Sequence, residues 1–315
     1  MERKEAKAKK KMAEAGYYYE ILAIDPTGEG QVIEYDISLP NKHITDISYS
    51  IDPEFGIICS GFYGNVEAKR SRDEINGIFF FRVNKETRQV ESLGTKELDK
   101  QFIADLTSQR NADKGRGIST VFNLKHFVQK DDGSAILVSE YSFSYVVEHC
   151  STDPKTGARS CSYVYHYVRN NIIAININPD GSIKWLANIP KLQHTTNDNG
   201  MFSSFIFGTA QDKMFFIYND NPKNMDATKV KSDKDLYTMT KPKKSTTVVV
   251  TLDESGKYTK KALFNNKDNK MILRTASSLR VNDHERIAEA VNFGTYFMLI
   301  PLKAGRTKLV RFRFH

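Results

Sequence analysis

The stretch that decides the fold is Asn171-Ile172-Ile173-Ala174-Ile175-Asn176-Ile177-Asn178-Pro179-Asp180-Gly181, followed by Ser182–Ile189. It consists of a run of β-forming apolar residues, a turn with Asn-Pro-Asp-Gly chemistry and a second short strand. This order of features is typical of a β-hairpin. A chain that repeats such hairpins is expected to be an all-β protein.

The same pattern recurs four more times along the chain. Each copy has a strand of mainly apolar residues, a turn, and a second strand. The first strands begin at Tyr19, Asn76, Thr246 and Tyr296, and the second strands are Gln31–Ile37, Gln89–Leu93, Tyr258–Phe264 and Lys308–Phe314.

A second kind of strand pair lies between these hairpins. Its copies are Ile47–Ile51 with Gly56–Gly61, Ser119–Val128 with Ala135–Tyr141, Ser203–Gly208 with Met214–Tyr218, and Leu273–Val281 with Arg286–Val291. Hairpin and pair together make a four-stranded antiparallel unit. The units are longer than the ~40–50 residues of a propeller blade, and the excess is assigned to the loops 95–117 and 221–244.

Repeated four-stranded units predict a β-propeller. The predicted propeller is a single domain over 17–315, made of a hairpin at 17–39 and units at about 44–97, 118–190, 202–265 and 271–315. A Greek-key sandwich is the alternative, but it does not account for five similar hairpins. Because the last unit is expected to hold four strands of its own, the first hairpin lacks partners. The ring is therefore expected to be incomplete, with at least one blade preceding Met1 in the natural protein.

The N-terminal segment 1–16 is predicted to be a polar basic tail, either helical or disordered. It has no apolar core and is not a signal peptide. The protein is therefore expected in the periplasm, at the cell surface or outside the cell if a signal peptide is missing upstream, and in the cytoplasm if Met1 is the true start. No apolar run approaches the ~18 residues of a transmembrane helix, so no such segment is predicted.

The net charge of +8 raises the question of nucleic-acid binding. The first sixteen residues hold six Lys/Arg against three Glu, and the other basic residues are scattered. Phosphate binding needs cations gathered on one face. No nucleic-acid partner is expected.

Two of the three cysteines flank a turn. Cys150 and Cys161 enclose Asp-Pro and Thr-Gly dipeptides, with strand-like segments Tyr141–His149 and Ser162–Tyr167 on either side. A hairpin centred on Lys155-Thr156 places the two cysteines opposite each other. We expect a disulfide and hence an oxidising compartment; two reduced thiols are the alternative. Cys59 is expected to be a buried strand residue.

No sequence motif identifies a catalytic, metal or cofactor site. The chain lacks a Gly-x-Ser-x-Gly elbow, a P-loop, a dinucleotide fingerprint and zinc-type spacing. His149 and His166 could approach each other across the cysteine hairpin, but no metal and no cofactor are predicted. The candidate ligand-binding residues lie in two loops that lead into inner strands, with Asp283, His284 and Arg286 as a third choice. They are Arg110, Asp113, Lys114 and Arg116 in one loop and His194, Asn197 and Asp198 in the other.

Two aromatic rows occupy the cysteine hairpin. Tyr141, Phe143 and Tyr145 alternate along one strand, and Tyr163, Tyr165 and Tyr167 along the other. Large rings fill the layers between packed sheets, so core or cover between blades is the favoured interpretation. A platform for stacking on carbohydrate is the alternative.

Several segments resemble uncharacterised bacterial exported β-propeller proteins. The resemblance is carried by Asn178–Trp185, Ile189-Pro190-Lys191, Ser203-Ser204-Phe205 and Phe216–Asn221, and is strongest over 118–265. It implies export and a propeller fold. It implies no activity and carries over no catalytic residues.

The sequence favours a non-catalytic binding module at the cell envelope or outside the cell, with a protein or a glycan as ligand. The alternative is a propeller-fold hydrolase or lyase that acts on a glycan at the mouth of a central channel. Enzymatic activity is left open, with the balance against it, and no oligomeric state is predicted.

Overall fold

The structure is a computed structural model that describes residues 19–24, 32–37, 39–52, 56–66, 74–84, 87, 90–119, 121–225, 233–282, 284–292, 295–297, 300–303 and 305–315. The predicted tail 1–16 and the third-choice residue Asp283 lie outside this range. Antiparallel strands make up most of the described residues, so the predicted all-β class is confirmed. No described helix is long and apolar enough to span a membrane.

The strands, numbered in chain order, are β1 (Tyr19–Ile24), β2 (Val32–Ile37), β3 (Lys42–Asp52), β4 (Gly56–Asn65), β5 (Glu74–Ile75), β6 (Gly77–Val83), β7 (Val90–Glu97), β8 (Ile118–Ser119), β9 (Phe122–Gln129), β10 (Ala135–Thr152), β11 (Arg159–Ile177), β12 (Ile183–Ile189), β13 (His194–Thr196), β14 (Ile206–Ala210), β15 (Lys213–Asp220), β16 (Thr246–Leu252), β17 (Tyr258–Asn265), β18 (Ile272–Leu273), β19 (Leu279–Asn282), β20 (Glu285–Asn292), β21 (Thr295–Phe297), β22 (Ile300–Lys303) and β23 (Arg306–Arg313). The helices within the described ranges are α1 (Lys100–Leu106) and α2 (Gln109–Asp113), with short 3₁₀ turns at Pro222–Met225, Asp233–Asp235 and Pro242–Lys244.

Three sheets are antiparallel meanders of four consecutive long strands. Their strand orders are β3-β4-β6-β7, β9-β10-β11-β12 and β14-β15-β16-β17, and the short strand β13 pairs with β11 beside the second meander. The stretch quoted first forms the end of β11, the turn and β12. In that turn, the Asp180 carboxylate accepts a 2.9 Å hydrogen bond from the Ser182 amide. The N-terminal hairpin forms a separate two-stranded sheet, with β1 paired to β2.

The last sheet differs from the predicted unit. Strands β18 and β19 pair with one edge of β20, and β23 pairs with the other over its whole length. The segment 295–303 forms its own hairpin, β21–β22, so the expectation of four successive strands in this unit is wrong. Pro301 gives the physical reason: proline donates no ladder hydrogen bond and is excluded from a central strand.

The predicted loop 95–117 contains two helices, α1 and α2, that were not predicted from the sequence. Asp99 accepts a 2.7 Å hydrogen bond from the Phe102 amide and caps α1. Ser108 caps α2 in the same way through the Asn111 amide. Helices of seven and five residues are too short to give a clear apolar periodicity.

The chain divides into two compact units. One comprises the described residues up to Ser139 with Ala174–Leu186, and the other comprises Glu140–Ile173 with Ala187–His315. The core of the first unit includes Cys59, Tyr63 and Phe79, and burial raises the pKa of the Cys59 thiol to about 12. The core of the second unit includes Ile217, Leu273 and Phe314.

Candidate functional site

The long hairpin β10–β11 extends well beyond the other strands. Its strands have 18 and 19 residues, whereas β12 and β16 have seven each. Residues 135–140 of β10 and 172–177 of β11 are buried, but most residues between Phe143 and Tyr165 along the hairpin are exposed. The outer half of the hairpin is therefore an exposed two-stranded ribbon.

A disulfide closes the ribbon near its tip. Cys150 and Cys161 are joined, with Cα atoms 4.1 Å apart, and Cys59 is free and buried. In the connecting turn, the Asp153 carboxylate accepts hydrogen bonds from the amides of Lys155 (2.7 Å) and Thr156 (3.0 Å). These backbone hydrogen bonds lower the pKa of Asp153. The turn is thus ordered by residues of the predicted turn dipeptides Asp-Pro and Thr-Gly.

We expect this bond in protein made under oxidising conditions. Non-reducing peptide mapping should recover one cross-linked peptide pair, joined through Cys150 and Cys161, and should recover Cys59 as a thiol. Cys59 should react with an alkylating agent only after unfolding, because it is buried. Recovery of Cys150 and Cys161 as alkylated thiols from unreduced protein would contradict the expectation.

One register accounts for the contacts between the two strands of the ribbon. Cys150 lies opposite Cys161, the Tyr145 ring stacks on His166 at 4.5 Å, and the Tyr163 hydroxyl donates to Glu148 at 2.9 Å. Side chains alternate between the two faces of a strand. The two aromatic rows therefore lie on opposite faces of the ribbon.

The first face, here the tyrosine face, carries Tyr163, Tyr165 and Tyr167 on β11 with Val146 and Glu148 on β10. Tyr163, Tyr165 and Val146 are about half exposed, at 54%, 50% and 51%. The favoured prediction of core or cover is therefore wrong for Tyr163 and Tyr165, and equally for Phe143 and Tyr145 of the other row, which are also exposed. Alternate residues on one strand are ~6.7 Å apart, so the three tyrosines form a row ~13 Å long.

The second face, here the histidine face, carries Tyr141, Phe143, Tyr145, His166 and His194. Phe143 and Tyr145 are exposed, and their ring centroids lie 6.0 Å apart. His166 Nδ1 and His194 Nε2 lie 2.9 Å apart. Burial lowers the pKa of His194, and the neighbouring His166 lowers it further.

His149 does not approach His166, which the sequence had left possible. Because Tyr145 lies opposite His166, His149 is four residues closer to the tip, ~13 Å along the strand. The partner of His166 is instead His194, which reaches it diagonally from β13.

The predicted loop residues after β13 hold the loop against the ribbon. Asn197 accepts a 2.9 Å hydrogen bond from the Tyr165 amide. Asp198 accepts from the Thr195 hydroxyl at 2.8 Å and from the Gly200 amide at 2.9 Å. Asn197 therefore borders the tyrosine face, whereas Asp198 orders its own turn.

The other predicted group lies at the end of α2, in the other compact unit. Asp113 accepts a 2.9 Å hydrogen bond from Gln109, and Arg116 donates to Asn111 at 3.4 Å. Arg110, Asp113 and Lys114 are exposed, and Arg116 is half-buried. A ligand-binding role for these four residues stays a prediction.

A fully buried ion pair, which was not predicted from the sequence, lies at the base of the ribbon. The Lys191 ammonium donates to the Glu140 carboxylate (2.8 Å), the Gln193 side chain (2.8 Å) and the Arg169 carbonyl (2.7 Å). Lys191 and Glu140 are both 0% exposed. Burial lowers the pKa of Lys191, while the Glu140 carboxylate raises it. Lys191 follows Ile-Pro in the sequence, and nothing in that pattern distinguishes it from a surface lysine.

The network continues from the pair into the second unit's interior. The second Glu140 oxygen accepts from the Ser204 hydroxyl at 2.8 Å, and Gln193 donates to the Asn219 carbonyl at 2.7 Å. Asn219 in turn donates to the carbonyls of Phe202 and Leu273. Because each contact joins a different segment of the chain, the network fixes these segments to the base of the ribbon.

A second buried acid is also neutralised. Asp220 is fully buried, forms an ion pair with Lys260 and accepts a 2.8 Å hydrogen bond from Asn224. Burial raises the pKa of the adjacent Tyr218 well above its usual value, and the Asp220 charge raises it further. Glu140 and Asp220 are thus each paired with a lysine: Glu140 with the buried Lys191, and Asp220 with the partly buried Lys260.

Comparisons with known proteins leave the family undetermined. The sequence matches no protein-family model and no curated protein. Among solved structures, the chain aligns with a GH43 β-1,3-galactosidase at 9% sequence identity and a TM-score of 0.25. The alignment covers 94% of this chain and 60% of that protein, so this chain spans less than two thirds of its length. A TM-score this low establishes neither a common fold nor a common activity.

Proposed function

We propose that this chain is a non-catalytic glycan-binding module and that the tyrosine face of the β10–β11 ribbon holds the glycan. The observation that carries the proposal is the half-exposed row of Tyr163 and Tyr165 on an ordered, disulfide-closed hairpin. Exposing aromatic surface to water costs free energy, and a patch of such surface usually marks a site of interaction. Tyrosine presents an apolar ring together with a polar hydroxyl, which suits a ligand that is both apolar and hydrogen-bonding.

The shape of the surface favours a glycan over a protein. A stable protein interface buries ~800 Å² on each partner. At Tyr163 the ribbon is only two strands wide, ~5 Å from axis to axis, and the three-residue strand β13 widens it beside Tyr167. A narrow row of rings fits a linear chain of sugar rings, whose C–H faces can stack on tyrosine. On the neighbouring strand β10, Val146 lies between Ser144 and Glu148 and adds an aliphatic side chain to the tyrosine face.

Polar groups suited to sugar hydroxyls border the row. Glu148 contacts the Tyr163 hydroxyl. Asn199 accepts a 3.3 Å hydrogen bond from the Tyr167 hydroxyl, and Asn197 lies beside Tyr165. Carboxylate and amide groups at the rim of an aromatic row supply the orientation that stacking alone does not give.

The buried acids Glu140 and Asp220 give no support to the hydrolase alternative. Glycoside hydrolysis generally needs two carboxyl groups that flank the scissile bond. Glu140 and Asp220 are each paired with a lysine and fully buried, so neither offers a free carboxyl group to a substrate.

We further propose that the sheets are blades of a single propeller domain over 17–315. Three successive four-stranded meanders support this proposal. The disulfide supports an oxidising compartment, either the periplasm or the outside of the cell. Membership of the exported bacterial propeller family suggested by the sequence is part of the same proposal.

The test is binding to a panel of linear hexasaccharides, measured by calorimetry on the full chain. We expect at least one neutral hexasaccharide to bind, and Tyr165→Ala to weaken its affinity about tenfold, the equivalent of ~1.4 kcal/mol. Tyr145→Ala is the matched control, because Tyr145 is an exposed tyrosine of the same ribbon on the opposite face.

Equal losses in the two variants would assign the effect to the ribbon as a whole and would overturn the assignment to the tyrosine face. No binding to any glycan, together with a protein that protects Tyr163 and Tyr165 from oxidative footprinting, would replace the glycan with a protein partner.

A further inference from the structure

We propose that Cys161 is a site at which a low-molecular-weight thiol attaches by thiol–disulfide exchange, with Cys150 as the leaving group. The site is the disulfide near the tip of the ribbon, and it does not depend on glycan binding. Its basis is an asymmetry between the two sulfurs, because the Arg159 guanidinium donates a hydrogen bond to Cys150 Sγ at 3.3 Å. Both cysteines and Arg159 are exposed, so a dissolved thiol can reach the bond.

The strand geometry explains why the arginine contacts one sulfur. Arg159 comes two residues before Cys161 on β11, so its side chain lies on the same face as the disulfide. Because Cys161 is joined to Cys150 across the ribbon, Arg159 is the diagonal neighbour of Cys150, at a distance that a long side chain spans. The corresponding neighbours of Cys161 on β10 are Glu148 and Thr152, and neither is a cation.

The exchange step depends on how well the leaving sulfur carries negative charge. An incoming thiolate forms a new S–S bond to one sulfur while the old S–S bond breaks, and the electron pair of the old bond leaves on the other sulfur. A guanidinium in contact with Cys150 stabilises a thiolate there. Attack therefore falls on Cys161, and Cys150 is released as the thiolate. The chain and the thiol exchange one S–S bond for another, so no further oxidant or reductant is needed.

A carboxylate near the disulfide acts on both sulfurs. The Glu148 carboxylate lies within 4.8 Å of the sulfur atoms of Cys150 and Cys161. It also accepts a hydrogen bond from the Tyr163 hydroxyl at 2.9 Å. Its negative charge disfavours a thiolate at either sulfur, so it slows exchange at both. The contact with Arg159 is what distinguishes the two positions.

The turn keeps Cys150 close to the modified Cys161. The Asp153 carboxylate accepts hydrogen bonds from the amides of Lys155 and Thr156, and neither bond involves the disulfide. The turn therefore stays closed after the exchange. The Cys150 thiolate can then attack the Cys161 sulfur, restore the disulfide and release the thiol. The modification is thus reversible.

The experiment treats the oxidised full chain with reduced glutathione, quenches the reaction with acid at a series of early times and maps the adducts by mass spectrometry. We expect the adduct on Cys161 to be about fivefold more abundant than the adduct on Cys150, the equivalent of ~1 kcal/mol for an exposed charge interaction. Migration of glutathione between the two sulfurs should leave this preference in place, because the more stable thiolate is again the one on Cys150.

Arg159→Gln should abolish the preference while the disulfide still forms. Lys155→Gln is the matched control and should keep the preference, because Lys155 is an exposed cation of the same turn whose backbone amide makes the contact with Asp153. Equal adducts on the two cysteines of the wild-type chain, or a preference that persists in Arg159→Gln, would overturn the proposal. An oxidised chain that forms no adduct at any time in excess glutathione would overturn it as well.

Discussion

Lys191→Met is expected to lower the free energy of unfolding by about 3–5 kcal/mol, the cost of removing one partner from a buried ion pair. The substitution fills a similar volume but leaves the buried Glu140 carboxylate, which also accepts from the Ser204 hydroxyl, without its lysine partner. It also removes the donor to the Arg169 carbonyl and to the Gln193 side chain. Each unsatisfied buried acceptor adds its own desolvation cost.

Urea unfolding followed by circular dichroism measures this effect. Lys184→Met is the matched control, because Lys184 is exposed on β12 and its replacement should change stability by less than ~0.5 kcal/mol. Adding Glu140→Leu to Lys191→Met should recover part of the loss, since the uncompensated charge is then gone. A loss below ~1 kcal/mol for Lys191→Met would show that the pair is solvated and that the network does not fix the base of the ribbon.

Gly61→Ala is expected to destabilise the first sheet by about 3 kcal/mol. Gly61 lies in β4 opposite Ile47 in β3. A Cβ atom there would lie 2.1 Å from the Asp46 carbonyl oxygen and 2.9 Å from the Phe79 ring. Because the first contact is with the backbone of a paired strand, the clash is relieved only by moving β3 away from β4. Such overpacking costs ~1–3 kcal/mol in a well-packed core, and this site lies at the upper end.

Gly94→Ala provides the comparison. Gly94 is also a strand glycine of the first sheet, but a Cβ atom there would meet Gly181 at 3.6 Å, an ordinary van der Waals distance. Alanine reduces the freedom of the unfolded chain, so this substitution should be neutral or should stabilise by up to ~1 kcal/mol. Equal thermal midpoints for the two variants in scanning calorimetry would contradict the close strand approach at Gly61.

The local features of this fold were predictable from the sequence, and the long-range ones were not. Apolar runs and Asn/Asp-Gly turns specify hairpins because both strands and the turn lie within ~20 residues. The strand order of the last sheet was not predicted, because Arg306–Arg313 pairs with Glu285–Asn292 and a separate hairpin lies between these two strands in the sequence. Pro301 was the available signal, since it disqualifies its segment from the middle of a sheet.

In the candidate site, too, the local features were predictable from the sequence and the long-range contacts were not. The two aromatic rows and the paired cysteines were evident from residue alternation, but alternation alone does not tell an exposed ribbon from a covered one. The pairing of His166 with His194 depends on β13, a three-residue strand whose register is set by distant contacts. The burial of Lys191 depends on Glu140, 51 residues away. No local pattern carries either relation.

The measurement that tests the central claim most directly is a nuclear magnetic resonance titration of the chain with ring-labelled tyrosine. The titrant is the linear hexasaccharide that binds most tightly in the panel. The account predicts that the ring signals of Tyr163 and Tyr165 shift and saturate together, while those of Tyr141 and Tyr145 stay unchanged. Shifts confined to Tyr141 and Tyr145, or no shift in any tyrosine at saturating hexasaccharide, would contradict it.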